Sequence, residues 1–410
     1  MHSRGAMKIL LVHNLYRSGT PGGEDVVFEQ EKKLLENAGH EVLTYTRSND
    51  EMNESNPLDA LQVLGGLHHS TRTQRELTEL LRARRPDIVH FHNIFPLISA
   101  SGYDACVEQR VPVVQSVHNY RTTCSAGTHF RAGRVCESCH AGEYWAAVRH
   151  ACYRGSAVAS AAVASMLLLN QRRNVLRFVD RFFVLGEFAA QRLMMAGVDR
   201  ERIVVKPNFV PDRGHFPSAA PLAQRTPAYA FFSGRLAVEK GVETVCAAWR
   251  SLPAIPLKIC GDGPLSASLR QRAAAERLNI EFLGMQSRER VMELAAGARL
   301  QVVSSEWFEA GVPLVALEAW AQGTPVVAAR IGGLAEMGDE ASPDGAALQF
   351  EPGDPLDLAH KVSRLWSDDV LANRLAARGR ARFESASTPE RSLAILESTY
   401  RTLCASAVAA

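Results

Sequence analysis

Short apolar runs recur along the chain, and each is closed by polar residues or glycine. The first, KILLVHN (8–14), reads as a strand buried on both faces of a parallel sheet. HEVLTYT (40–46), PDIVHFHN (86–93), VPVVQSVHN (111–119), VDRFFVLG (179–186) and IVVKPNFV (203–210) repeat the pattern, and two of them end in His-Asn. Helically spaced segments lie between them; one ends LLENAGHEV, where Gly39 suits a helix C-cap. Strands alternating with helices predict βαβ units and a doubly wound parallel sheet.

The pattern breaks at PDRGHFPSAAPLAQRTP (211–227), which is rich in Pro, Ala and polar residues and has no period. It restarts as YAFFSGRL (229–236), LKICGDGP (257–264), IEFLG (280–284), LQVVSS (300–305), TPVVAA (324–329) and AALQF (346–350). The chain therefore divides into a first domain over 1–212, a linker at 213–227 and a second domain over 228–387. A last helix, 388–410, could pack on either domain and is a candidate to cross back to the first. The expected fold class is α/β: two Rossmann-like doubly wound domains facing a cleft, with a ligand at the carboxyl ends of both sheets.

Composition narrows the reading. The 410 residues are too many for one ordinary core, and 46% hydrophobic with 22% charged is globular. A net charge of +2 gives no overall pull toward nucleic acid. Residues 110–181 hold ten arginines against Glu137, Glu143 and Asp180, so 10 − 3 = +7. This segment is either a solvated basic face or a surface that meets anionic lipid or a phosphorylated acceptor. The most apolar window, 158–169, falls short of the ~20 residues a membrane span needs. No secretory signal is legible, so a cytoplasmic location is expected, with a peripheral place on the inner membrane face as the alternative. The eight cysteines are then not read as structural disulfides.

Candidate chemistry sits at the strand ends. Gly22 and Gly23 lie between the first strand and its helix, where glycines admit an anion or form an ordinary turn; the G-x-G-x-x-G fingerprint is absent. Gly234, Arg235 and Lys240 form a second such loop, and two cations there could clamp a diphosphate. Glu306, Glu309 and Glu318 stand in an otherwise apolar stretch. Cys124, Cys136, Cys139 and Cys152 are spaced C-x11-C-x2-C-x12-C, within an insert at about 120–155, with His129, His140 and His150 nearby. Four thiolates suit structural zinc first and an iron–sulfur cluster second; a redox pair at Cys136 and Cys139, or simple packing, are the other readings. Cys106, Cys246, Cys260 and Cys404 are scattered singly and fit packing. The apolar helix after the insert ends in Arg172, Arg173 and Arg177, as a membrane-facing helix or a core helix with a basic end would.

The motifs SGRLAVEKGVETV, ICGDGPL, VPLVALEAWAQGTPVVAARIGGLAE, KPNFV, DIVHFHN and SVHNY together resemble glycosyltransferase family 4, in order and across nearly the whole chain. The resemblance implies the GT-B fold and a retaining, hexosyltransferase-type transfer from a UDP- or GDP-linked sugar to a saccharide or lipid-linked acceptor. It implies a place in cell-surface polysaccharide or glycoconjugate synthesis and no catalytic metal. By the same resemblance, Arg235 and Lys240 hold the donor diphosphate, Glu318 accepts from the ribose diol and Glu309 contacts the sugar. Backbone at Ala310, Gly311, Val312, Pro313 and Leu314 offers N–H groups, Leu283 and Met285 lie near the base, and Gly22, Gly23 and Gly234 complete the donor side. His118 faces the donor sugar, and His92 and Asn93 line the acceptor side. The sequence departs at one point: eight residues separate Glu309 from Glu318 where the family has seven. A nucleotide-sugar epimerase and a non-catalytic scaffold of a polysaccharide assembly complex are the rival readings.

Overall fold

The computed structural model describes residues 5–18, 22–52, 65–139, 142–211, 222, 225–226 and 228–409. His140 and most of the linker expected at 213–227 lie outside them. The first domain is a six-stranded parallel sheet in the order β2-β1-β3-β4-β7-β8. Its strands are β1 (Lys8–Leu15), β2 (Glu41–Ser48), β3 (Ile88–Phe91), β4 (Val113–Val117), β7 (Arg181–Val184) and β8 (Ile203–Val205). A hairpin of β5 (Phe130–Arg131) and β6 (Arg134–Val135) belongs to the cysteine-bearing insert. The second domain repeats the construction, in the order β11-β10-β9-β12-β13-β14. These strands are β9 (Ala230–Ser233), β10 (Leu257–Cys260), β11 (Ile280–Gly284), β12 (Leu300–Val303), β13 (Val326–Ala329) and β14 (Ala347–Phe350).

The central strands are apolar because helices cover both faces, so no position along them can be polar without a buried partner. All of Ile9, Leu10, Leu11 and Val12 are fully buried. The run at 203–210 is a strand only over Ile203–Val205. Lys206 N still donates to Val184 O (2.8 Å), but Pro207 has no N–H to continue the ladder.

The last helix, Pro389–Ala409, packs on the first domain: Leu396, Tyr400 and Leu403 join Ile9, Phe28 and Phe183 in one core. His40 Nε2 meets Glu397 Oε1 at 3.0 Å on the same face. Of the linker, Leu222 joins the second domain's core, and Arg225 donates to Ala298 O (2.5 Å) and Thr324 Oγ1 (2.7 Å). The second domain thus already holds the chain at Leu222 and Arg225. Among the described residues no helix is long and apolar enough to cross a membrane.

Candidate functional site

The domains meet at the carboxyl ends of their sheets. Glu336 of the second domain accepts from Glu187 N (3.1 Å) and Phe188 N (2.5 Å), the first-turn donors of helix Glu187–Met195. A carboxylate there satisfies orphan N–H groups and the positive helix end together. Phe188 packs on Phe308 (4.9 Å between centroids), Arg192 lies over both rings, and the Tyr120 hydroxyl donates to Glu309 O (3.2 Å).

On the second-domain side, the loops after β9 and β10 lock backbone to backbone. Gly234 N donates to Cys260 O (3.0 Å), Leu236 N to Asp262 O (2.9 Å) and Leu265 N to Leu236 O (3.0 Å). Arg235 is carried out into solvent by this lock, and its guanidinium has no hydrogen bond or ion pair among the described residues. Lys240 sits five residues on, and its Nζ is 2.6 Å from Glu309 Oε1. The same oxygen accepts from Ser305 Oγ (2.7 Å) and Trp307 Nε1 (2.8 Å), and Lys240 Nζ lies 4.8 Å from the Trp307 ring. Burial pushes the Glu309 carboxyl up, but the Lys240 ammonium and these hydrogen bonds outweigh it and hold the group below the usual carboxylate range. Glu306 turns away and accepts from Thr244 Oγ1 (2.5 Å); burial raises its carboxyl. Glu309 is therefore the acid that faces the cation loop, despite the longer spacing to Glu318.

Glu318 lies on helix Leu314–Ala321, buried, with Arg288 Nη2 at 3.4 Å from Oε1. Burial raises its carboxyl, and Arg288 only partly offsets this. With its carboxamide oxygen turned inward, Gln30 of the first domain accepts from Arg288 Nη2 (2.9 Å), so Arg288 bridges the domains beside Glu318. Pro313 is the N-cap of the Glu318 helix. Ala310 joins the first domain's core, and a Cβ at Gly311 would lie 2.5 Å from Leu185 O, so both are interface positions. Val312 and Leu314 pack on the second-domain core. Leu283 is partly buried, while Met285 is 73% exposed.

On the first-domain side, His92 and His118 follow β3 and β4 and line a solvent-open cleft. Their rings stack at 5.5 Å, with His92 Nδ1 3.3 Å from His118 Nε2. Asn93 also lines the cleft, but its amide is committed to loop structure: it donates to Asn14 O (2.9 Å) and accepts from Phe95 N (3.0 Å). Gly22 N donates to Asp25 Oδ2 (3.0 Å), so a side chain of the chain itself caps helix Gly23–Asn37; Gly23 faces open space. Asn119 Nδ2 donates to Glu24 (2.6 Å) at the same rim.

The four clustered cysteines are free thiols near one another. Burial, then Cys124, Cys152 and Cys136, push the Cys139 thiol up to about 11. Among the described residues, no three of the sulfurs come within 4.8 Å of each other. The three ligand-type side chains that do are Glu31, His90 and His92, which sequence reasoning did not single out as a group. The signal was weak: Glu31 lies among the polar residues of a helix, and its partner Lys206 stands inside KPNFV.

Residues 21–213 match the family description Glycosyltransferase Family 4, and residues 218–382 match Glycosyl transferases group 1. Glycogen synthase of Mycobacterium tuberculosis is 29% identical over 316 residues, 74% of this chain and 66% of that protein. D-inositol 3-phosphate glycosyltransferase of Mycolicibacterium smegmatis is 33% identical over 235 residues, 52% of each. The matched stretches thus span between half and two thirds of these relatives' lengths. In fold, the chain is similar to sucrose-phosphate synthase from Thermosynechococcus elongatus (TM-score 0.69, 20% identity, 97% of this chain and 99% of that one). It is similar also to HepE of Anabaena in complex with UDP (TM-score 0.66, 19% identity, 97% and 100%). With the two family descriptions matched in order on two facing parallel-sheet domains, the chain belongs to the family 4 glycosyltransferases and has the GT-B fold.

Proposed function

We propose that the chain is a retaining, hexosyltransferase-type enzyme. It would move a sugar from a nucleoside-diphosphate donor to a saccharide or lipid-linked acceptor in cell-surface polysaccharide or glycoconjugate synthesis. The observation that carries this reading is the meeting of Lys240 with Glu309 beside the solvent-facing Arg235. In transfer, the bond from the anomeric carbon to the diphosphate breaks with its electron pair on the diphosphate. Arg235 and Lys240 meet that developing charge, so the step as proposed needs no catalytic metal. The acceptor oxygen bonds the anomeric carbon on the same face, and its proton goes to the leaving phosphate.

A bound diphosphate competes with Glu309 for Lys240 and frees the carboxylate to meet sugar hydroxyls. A ribose diol likewise competes with Arg288 for Glu318. Two hydroxyls donating to a carboxylate favour its ionised form. The Glu318 carboxyl is raised above 4.5 by burial. Donor affinity is therefore expected to rise with pH as Glu318 ionises, with proton release on binding, and to lose that dependence in Glu318→Gln. Calorimetry with a panel of UDP- and GDP-sugars tests both points; HepE was solved with UDP and with UDP-glucose, which favours the UDP arm. If no member of the panel binds, the reading fails. Free rearranged nucleotide-sugar formed without acceptor favours the epimerase instead, and donor binding with no transfer to any acceptor favours the scaffold.

The cleft supports an amphiphilic acceptor. Leu67, Phe95, Tyr144, Met166 and Leu167 line it together with His118. Outside it, Trp145 is 61% and Val158 75% exposed in the segment that carries the arginine excess. The proposed location is cytoplasmic, peripheral on the inner membrane face. A protein that ignores anionic liposomes at low salt is not held there by this surface.

Structural zinc at Cys124, Cys136, Cys139 and Cys152 is part of the same proposal. Burial and the neighbouring cysteines raise the Cys139 and Cys152 thiols, so the cluster is close enough to fit a tetrathiolate site, and closing on one ion would draw the sulfurs inward. One zinc per chain, lost in Cys136→Ser with a lower Tm, is the expected result. A metal-free protein with an unchanged Tm in chelator sinks it.

A further inference from the structure

Beneath the cleft floor lies a buried chain of polar side chains that the transfer chemistry above does not use. Lys206 Nζ donates to Glu31 Oε1 (2.5 Å), and both side chains are essentially inaccessible. The other oxygen, Glu31 Oε2, is buried without a hydrogen-bond partner and lies 3.6 Å from His92 Nε2, which is also unpartnered. His92 Nδ1 in turn faces His118 Nε2 at 3.3 Å, and His118 lines the cleft. His118 Nδ1 has no hydrogen-bond partner among the described residues.

A buried ion pair of this kind is weak evidence for stability, because desolvation offsets its attraction. Its geometry does something else. Opposite a carboxylate oxygen, an imidazole nitrogen is favoured only as N–H. With the proton on His92 Nε2, His92 Nδ1 is an acceptor. His118 Nε2 must then carry the proton that fills the 3.3 Å gap, and His118 Nδ1 is left as a lone pair. The order is Glu31, then His92, then His118, each fixing the next.

We propose that Glu31, paired with Lys206, sets the tautomer of His92 and through it that of His118, so that His118 presents Nδ1 as a hydrogen-bond acceptor to a substrate hydroxyl. Glu31 and His92 are positioning residues, and only His118 touches the ligand. The hydroxyl contact rests on the glycosyltransferase reading; the tautomer order does not.

Glu31, His90 and His92 each offer one ligand atom within 4.8 Å of the others, with Glu31 Oε2 3.9 Å from His90 Nδ1 and 3.6 Å from His92 Nε2, a grouping that a metal ion could occupy. Two observations favour the tautomer lock. The Glu31 charge is already matched by Lys206, so a cation would sit beside an ammonium group. His90 Nδ1 is also engaged, with the Tyr400 hydroxyl at 2.7 Å.

At 3.6 Å the Glu31–His92 pair is longer than a hydrogen bond, and an approach of about half an ångström completes it. A water donating to both groups would instead place the proton on His92 Nδ1. Imidazole nitrogen NMR on the whole protein separates these cases without any activity assay. The expected spectrum shows both His92 and His118 neutral and protonated at Nε2, with a mixture of tautomers in Glu31→Gln. Protonation of His92 at Nδ1, or an unchanged spectrum in Glu31→Gln, overturns the proposal, as does a bound metal lost with Glu31.

The second readout is kinetic. Glu31→Gln is expected to lower kcat about 10- to 100-fold, as loss of an orienting outer partner does, while donor KM stays near wild type; its Tm should fall, because Lys206 is left buried without its carboxylate. A Glu31→Leu, Lys206→Leu double variant removes the charge pair without orphaning either member. It should fold and show the same loss; wild-type kcat in that variant overturns the role. If transferase activity is absent in the wild-type protein as well, the function reading has failed, and the NMR result still stands or falls by itself.

Discussion

Arg235→Ala is expected to lower kcat/KM about 100- to 1000-fold, the loss seen when one preorganised group at a developing anion is removed. Its stability should stay within about 0.5 kcal/mol of wild type, as for other exposed positions. The separation arises because Arg235 is solvent-facing and has no ion pair or side-chain hydrogen bond among the described residues. Nothing in the fold is lost with it. Lys240→Ala should match the kinetic loss but behave differently in stability. It leaves the buried Glu309 carboxylate without its cation, though still bonded to Ser305 and Trp307. An under-satisfied buried acceptor costs about 1–3 kcal/mol. Adding Glu309→Gln to Lys240→Ala should recover most of that stability and none of the activity. Chemical denaturation and steady-state kinetics on the same four proteins decide it. Near-normal turnover in Arg235→Ala would remove the charge-neutralising role given to this loop.

The contrast also shows what could be read before the structure and what could not. The strands were legible because burial on both faces forces an unbroken apolar run, as at Ile9–Val12. The destination of the last helix was not. Periodicity marks Leu396, Tyr400 and Leu403 as one face, but only the folded chain puts that face against Phe28 and Phe183. Spacing alone left Glu309 in doubt, because the extra residue before Glu318 shifts it from the family register. In the folded chain Ser305 and Trp307 aim the carboxylate at Lys240, ahead of the N-cap Pro313. Glu31 and Lys206 were invisible for a further reason. They are 175 positions apart, and no local pattern announces that a lysine before a proline, just past a strand, will be buried against an acid on the first helix.

Gly241→Ala is expected to be among the most damaging single changes in the second domain. Gly241 ends the turn that carries Lys240 and begins helix Val242–Ala248, with φ of +63°. A Cβ there would stand 2.0 Å from Ser304 O. The neighbour is backbone at the end of β12 and cannot swing aside, as the far end of a side chain could. It is also tied to the turn: Ser304 Oγ donates to Lys240 O (2.8 Å), and Glu306 N donates to Glu239 O (2.9 Å). Relief of the clash must therefore separate the two loops that bring Lys240 to Glu309. Overpacking of this kind costs about 1–3 kcal/mol and the left-handed backbone adds about 1 kcal/mol more. The expected result is a clear fall in denaturation midpoint, together with a loss of kcat/KM as large as that of Lys240→Ala. The effect on donor binding should follow the cation rather than the fold. Saturating nucleotide should raise the Tm of wild type and fail to raise that of Gly241→Ala. A Gly241→Ala protein that binds donor normally would mean that the Lys240 turn can be displaced without consequence, and that the diphosphate is gripped elsewhere.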